Sequence, residues 1–164
     1  MLSLLNQASL IIKWRLLFNM NTTNLPPNVR ATDNVILFDG VCKLCNAWSN
    51  FIIKHDHQRI FKLCSVQSVE GQKILKHFGL STDVYDSMLV VEGDAVYQQS
   101  DAFFQVVRKL GYPWKIVCTF RIIPKPIRNW LYDRIALNRY RLFGKYDACL
   151  LPTADHEARY LNEK

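Results

Sequence analysis

Three residues near the start of the chain carry side chains that together can do chemistry: Asp39, Cys42 and Cys45, in the stretch "FDGVCKLCN" from Phe38 to Asn46. Two thiols three residues apart can open and close a disulfide, hold part of a metal site, or lie in a core. The spacing alone allows all three. Their setting narrows the choice. "VILF" (Val35–Phe38) is a short continuous apolar run bounded by Asp39-Gly40, as expected of a strand buried on both faces. From Cys42 to about Lys54, Leu44, Trp48, Phe51 and Ile52 recur at helical spacing. Cys42 is therefore expected at a helix N-terminus, where the partial positive charge of the backbone favours a thiolate. Lys43 adds a positive charge beside it. Cys45 falls one turn further on the same side. The expectation is an exposed, nucleophilic Cys42 and a more shielded Cys45 that resolves the mixed disulfide. Asp39 has two readings: a turn residue that accepts from backbone N–H groups, or a proton acceptor near the thiols.

A zinc site would need more ligands, and His55 and His57 are the obvious ones. With Cys42 and His55 on one helix, thirteen residues set them ~20 Å apart at ~1.5 Å each. Zinc holds its ligands at ~2.0–2.3 Å, so these two ends cannot share it. The two histidines read instead as solvated residues at a helix end. No metal and no bound cofactor is expected. Cys64 and Cys118 read as small core residues, and Cys149 as a candidate third redox thiol.

The positioning elements follow from periodicity. "IFKLCSV" (60–66) is a second strand, followed by a helix capped by Ser68 and ended by Gly79. "MLVV" (88–91) and "AVYQ" (95–98) flank a turn at Gly93 and form an antiparallel hairpin. Ser100 is the expected N-cap of a helix over 101–110, closed by Gly111. The order β-α-β-α-β-β-α predicts an α/β fold with one mixed sheet and a right-handed parallel crossover. Beyond Pro113 a helical extension runs to about residue 161. There Ile127, Trp130, Leu131, Ile135 and Leu142 are expected to face the core, and Arg128, Arg134, Arg139 and Arg141 to lie elsewhere. Residues 1–33 read as an appended tail, and 34–161 as a single domain.

Bulk properties bound the function. The hydrophobic content of 49% in 164 residues supports a core without disulfides. An odd count of five cysteines, with Cys64, Cys118 and Cys149 scattered and only Cys42 and Cys45 close together, argues against a secreted disulfide scaffold and for a reducing compartment, the cytoplasm. No apolar run is long enough to span a membrane. The net charge is +7, and Arg121 to Lys145 holds seven Lys or Arg against Asp133 alone, so the basic surface is local. Its arginines alternate with apolar residues and match no base-reading motif, so no nucleic-acid partner is expected. Peripheral contact with a membrane surface or an acidic partner through 121–145 fits better. The opening "MLSLLNQASLIIKWRLLFNM" has no acid and reads either as an amphipathic targeting segment for an organelle or as an extension preceding a start at Met20.

"DGVCKLC" resembles the signature of the DCC family of thiol-disulfide oxidoreductases, an Asp-x-x-Cys-x-x-Cys, with Asp39, Cys42 and Cys45 on its three marked positions. "CSVQS…G" after the second strand, "SDA" at 100–102, "YDRIALNRYRLFG" at 132–144 and Cys149-x-x-Pro152 are similar to further family features. The resemblance covers about residues 34–161. It implies a thioredoxin-like fold and disulfide reduction or exchange, with an unknown disulfide-containing substrate and a thiol reductant as partners. One departure is visible. Thioredoxins carry a cis-proline before the third strand, facing the cysteines, whereas this chain reads "YDSMLVV" with Ser87 and no proline. The substrate edge beside the sulfurs must differ accordingly.

Overall fold

A computed structural model describes residues 25–83, 87–147 and 158–161. Four strands form one mixed sheet in the order β2-β1-β3-β4. They are β1 (Asn34–Phe38), β2 (Phe61–Ser65), β3 (Leu89–Glu92) and β4 (Ala95–Gln98). β1 pairs parallel to β2, with Ile36 opposite Leu63, and antiparallel to β3, with Ile36 opposite Val90. The helices are α1 (Lys43–His55), α2 (Val69–His77), α3 (Gln99–Leu110), α4 (Lys125–Leu137) and α5 (Arg139–Phe143), with a 3₁₀ stretch over Trp114–Ile122. This is a thioredoxin-like α+β order.

β1 is buried on both sides, as its continuous apolar run requires. Val35 and Leu37 pack with Val66, Ile74 and Leu75 on the α2 face. Ile36 and Phe38 pack with Ile52, Ala102 and Val106 on the face covered by α1 and α3. Val29, within the stretch expected as tail, joins the α2-side core at 6% exposure. A second tie comes from the chain's other end: Arg159 donates to Asp56 Oδ2 at 2.5 Å, and Leu161 N–H to Leu63 C=O at 2.8 Å. Asp56 also accepts from the Ile60 and Phe61 backbone N–H groups, so the α1–β2 turn is organised around one buried carboxylate.

Two local expectations change. α3 starts at Gln99, after Gln98 and without a side-chain cap. Ser100 is instead drawn into tertiary contact, donating to Asn129 Oδ1 at 2.5 Å. The larger change is in the helical extension. Ile127, Trp130, Leu131, Ile135 and Leu142 do not face the core; each is between 45% and 61% exposed. The inner face of α4 is polar, because the surface it meets offers hydrogen-bond partners from 87–101. Arg128 bonds Asp101, Tyr132 accepts from Met88 N–H, and Asp133 accepts from Gln99.

Ser68 caps α2 as expected, accepting from Gly71 N–H at 3.1 Å. Gly71 is required by a close approach: a Cβ there would sit 2.2 Å from the Ser65 carbonyl oxygen. Gly71→Ala is therefore expected to force α2 away from β2 and cost about 1–3 kcal/mol, as overpacking typically does. A lowered urea midpoint checks this; an unchanged midpoint would contradict the close packing.

Candidate redox site

Cys42 is the N-cap of α1. Its backbone is extended, and its Sγ accepts from the Cys45 backbone N–H at 3.4 Å. That is the place the helix periodicity assigned to it. Both are free thiols. Their exposure is the reverse of expectation. Cys42 is 0% exposed, whereas Cys45 is half-buried. The cause is a tertiary contact. Gly144–Tyr146 runs antiparallel against Val41–Lys43: Tyr146 N–H donates to Val41 C=O at 2.8 Å, and Lys43 N–H to Gly144 C=O at 3.4 Å. Cys42 and Lys145 are directly opposed in this bridge.

Cys45 faces a cavity of about 430 Å³ between the α1–α3 side of the sheet and the helical extension. Trp48, Met88, Phe103, Phe104, Phe120 and Leu131 are among its apolar lining residues. This volume falls within the range of small-molecule sites. Trp48 stacks on Phe103 with ring centroids 5.1 Å apart, and its indole N–H points at Met88 Sδ at 3.1 Å. Burial, and then the hydrogen bond with Cys42, push the Cys45 thiol up; Arg139 works in the opposite direction.

Asp39 is 5% exposed and is the hub of the site. Oδ1 accepts from Val41 N–H at 3.2 Å and from Gln67 Nε2 at 2.7 Å. Oδ2 accepts from the Tyr140 hydroxyl and from Arg139 at 3.3 Å. Burial by itself would raise its pKa. The donors from Tyr140, Gln67, Val41 and Arg139 outweigh burial and hold the carboxyl below its ordinary value. The contact with Val41 is the turn role read from the sequence. The partners Arg139 and Tyr140 were missed: Arg139, read as lying away from the core, is 8% exposed and pairs with Asp39. The one signal for them was the family-like stretch "YDRIALNRYRLFG", since nothing in the periodicity marks a buried arginine.

Ser87, the residue at which the sequence departs from the thioredoxin pattern, lines the same cavity. Its hydroxyl accepts from Gln99 N–H at 2.9 Å. The following residue, Met88, has its N–H taken by the Tyr132 hydroxyl at 3.2 Å. An extended peptide cannot pair with that backbone group. His55 is half-buried, not a free solvated residue: its ring contacts Phe51 and Trp114, and its Nδ1 is 2.8 Å from Phe51 C=O. His57 is exposed. Among the described residues no three His, Cys, Asp or Glu side chains come together as metal ligands. Cys64 is a core thiol, pushed up to about 11 by burial, and Cys118 is half-buried against the α3 backbone. Cys149 and residues 1–19 lie outside the described residues.

A thioredoxin-like sheet with two thiols at the first helix start defines a redox scaffold. The comparisons with known proteins name its family. The DCC1-like thiol-disulfide oxidoreductase profile matches residues 36–145, and the chain belongs to that family. It is 44% identical over 129 residues to an uncharacterized protein of Bacillus subtilis (strain 168), YuxK, covering 79% of this chain and 94% of that one. It is 36% identical over 118 residues to a DCC family protein of Arabidopsis thaliana described as chloroplastic, covering 71% of this chain and 69% of that one. No solved structure matches it. No helix among the described residues is long and apolar enough to cross a membrane.

Two outcomes follow. Asp39→Asn leaves the Arg139 guanidinium buried without its anion and is expected to cost roughly 3 kcal/mol at neutral pH. Because the folded pKa of Asp39 is depressed, its contribution is fully present above the unfolded value of ~3.9 and is lost as pH falls through the lower folded value. The stability gap between wild type and Asp39→Asn, measured by urea unfolding across pH, should therefore narrow only below about pH 4. A gap constant through that range would contradict the ion pair. Separately, in Cys42→Ser the Cys45 thiol should alkylate with a midpoint above the ordinary ~8.5, because burial remains. Iodoacetamide rates against pH measure it.

Proposed function

We propose that the protein is an enzyme, a thiol-disulfide oxidoreductase that exchanges disulfides through Cys42 and Cys45. The observation that carries this reading is the pairing of a helix-capping thiol with a second thiol that faces a ligand-sized cavity. A substrate R–S–S–R′ enters with its apolar part in the cavity. The Cys45 thiol gives up its proton and attacks one sulfur, expelling R′–S⁻. Cys42 then attacks the Cys45 sulfur of the mixed disulfide, closing Cys42–Cys45 and releasing R–S⁻. The two thiolates leave as thiols. The pair has lost two electrons and the substrate disulfide has gained them. An external thiol reductant returns the pair to the dithiol. Electrons pass only between sulfurs, so the exchange needs no bound cofactor.

The burial of Cys42 supports first attack by Cys45, in place of the Cys42 attack expected from the sequence. Cys42 has no exposed surface while Gly144–Tyr146 covers it. Asp39 serves as a positioning residue: held ionised by four donors, it ties the Cys42 loop to Gln67 and to Arg139–Tyr140. The engaged Met88 N–H and the apolar wall favour a compact apolar substrate over an extended peptide. A reducing compartment such as the cytoplasm suits a pair that must be recycled by thiols.

Redox titration with alkylation should show Cys42 and Cys45 oxidising together, at a potential between about −120 and −270 mV, the span of known exchange pairs. With an aromatic disulfide such as 5,5′-dithiobis(2-nitrobenzoate), Cys42→Ser should accumulate a mixed disulfide on Cys45, and both single variants should turn over no faster than the double variant. A pair that never oxidises, or a double serine variant with wild-type turnover, refutes the redox reading. A mixed disulfide that builds up only on Cys42, in Cys45→Ser, reverses the order of attack.

A further inference from the structure

Helix α4 is inside out. Its inner face is polar and hydrogen-bonded to the domain, through Arg128, Asn129, Tyr132 and Asp133. Its outer face carries Ile127, Trp130, Leu131 and Ile135 at i, i+3, i+4 and i+8, each at least 45% exposed. That is the spacing of one apolar stripe on a helix, turned toward solvent. The 3₁₀ stretch before it has no buried residue, and Ile122 is 88% exposed. Of the large apolar side chains exposed among the described residues, all but Val69 lie between Tyr112 and Phe143. A patch this concentrated marks an interaction surface.

Its charge says what kind. Lys115, Arg121, Lys125, Arg134 and Arg141 are exposed in the same segment. Asp133, the single acid from 112 to 145, is half-buried on the inner face and bonded to Gln99. A second copy of the chain would bring the same positive charge against this face, so self-association is opposed. A nucleic acid would leave the apolar stripe facing phosphates. An anionic bilayer satisfies both components: acyl chains take the isoleucines and leucines, and headgroups take the cations. Trp130, with the Arg134 guanidinium 5.1 Å over its ring, has the aromatic-and-cation make-up of the membrane interface.

We propose that the 112–143 face seats in the interface of an anionic lipid bilayer. Phe120, Ile123, Leu131 and Ile135 both belong to this exposed face and line the Cys45 cavity, so the cavity mouth then opens toward lipid. The seating itself does not depend on the redox reading.

The test is sedimentation of the full chain with vesicles. Wild type should bind vesicles of phosphatidylcholine and phosphatidylserine in equal parts, bind pure phosphatidylcholine more weakly, and release from the mixed vesicles as salt rises. Ile122→Ser with Trp130→Ser, neither residue lining the cavity, should weaken binding roughly 10-fold or more. Arg121→Gln with Arg134→Gln and Arg141→Gln should do the same. Circular dichroism melts confirm that both variants fold. Wild type that stays unbound overturns the proposal. So does binding unchanged in the apolar variant, which would put the contact on charge alone or on residues 1–24. A wild type that is oligomeric without lipid, and becomes monomeric in Ile122→Ser with Trp130→Ser, overturns it in favour of a protein interface.

Discussion

The site depends on one buried carboxylate. Asp39 has little water to solvate it, so its charge persists only because four donors from three parts of the chain converge on it. Val41 contributes from its own loop, Gln67 from the β2–α2 turn, and Arg139 with Tyr140 from α5. The same group that shapes the Cys42 loop therefore fastens the helical extension over it. Gln67 reinforces the link by accepting from Gly40 N–H at 3.0 Å, while Ser65 donates to the same Gln67 oxygen. Arg139 is equally constrained, since it is buried and needs an anion.

This arrangement explains why the extension is helical yet does not complete the core in the ordinary way. It meets a sheet already covered by α1 and α3, whose rim near Ser87, Gln99 and Ser100 is polar. A polar rim is matched by polar partners, so α4 turns Asn129, Tyr132 and Asp133 inward and its isoleucines out. The cost of that inversion is an apolar surface in water, which is the physical ground for a partner on that face.

The family and the architecture bear on each other. Asp39, Cys42 and Cys45 carry the resemblance read from the sequence, but the residues that make the carboxylate tenable lie a hundred positions later, at Arg139 and Tyr140. The stretch 132–144 that looks family-like in sequence is the stretch that contacts Asp39 and lines the cavity at Cys45. Recognition by the first motif and the chemistry of the site thus rest on two distant segments.

Local order was legible from the chain alone. The buried strand β1, the start of α1 at Cys42, the Ser68 cap and the hairpin at Gly93 each follow from short-range patterns: apolar runs, helical spacing, capping and turn residues. Even the turn contact of Asp39 is local. What the tertiary structure decided is everything that depends on which surface meets which. Helical spacing shows that Ile127, Trp130, Leu131 and Ile135 share a face, but not whether that face looks in or out. It places Cys42 at a helix end, but only the pairing of Gly144–Tyr146 with Val41–Lys43 buries it and leaves Cys45 toward the cavity. A buried charge leaves no periodic trace, so Arg139 reads as one more basic residue until the fold brings it to Asp39. Periodicity reports one element's own faces; burial depends on a neighbour, here a hundred residues away.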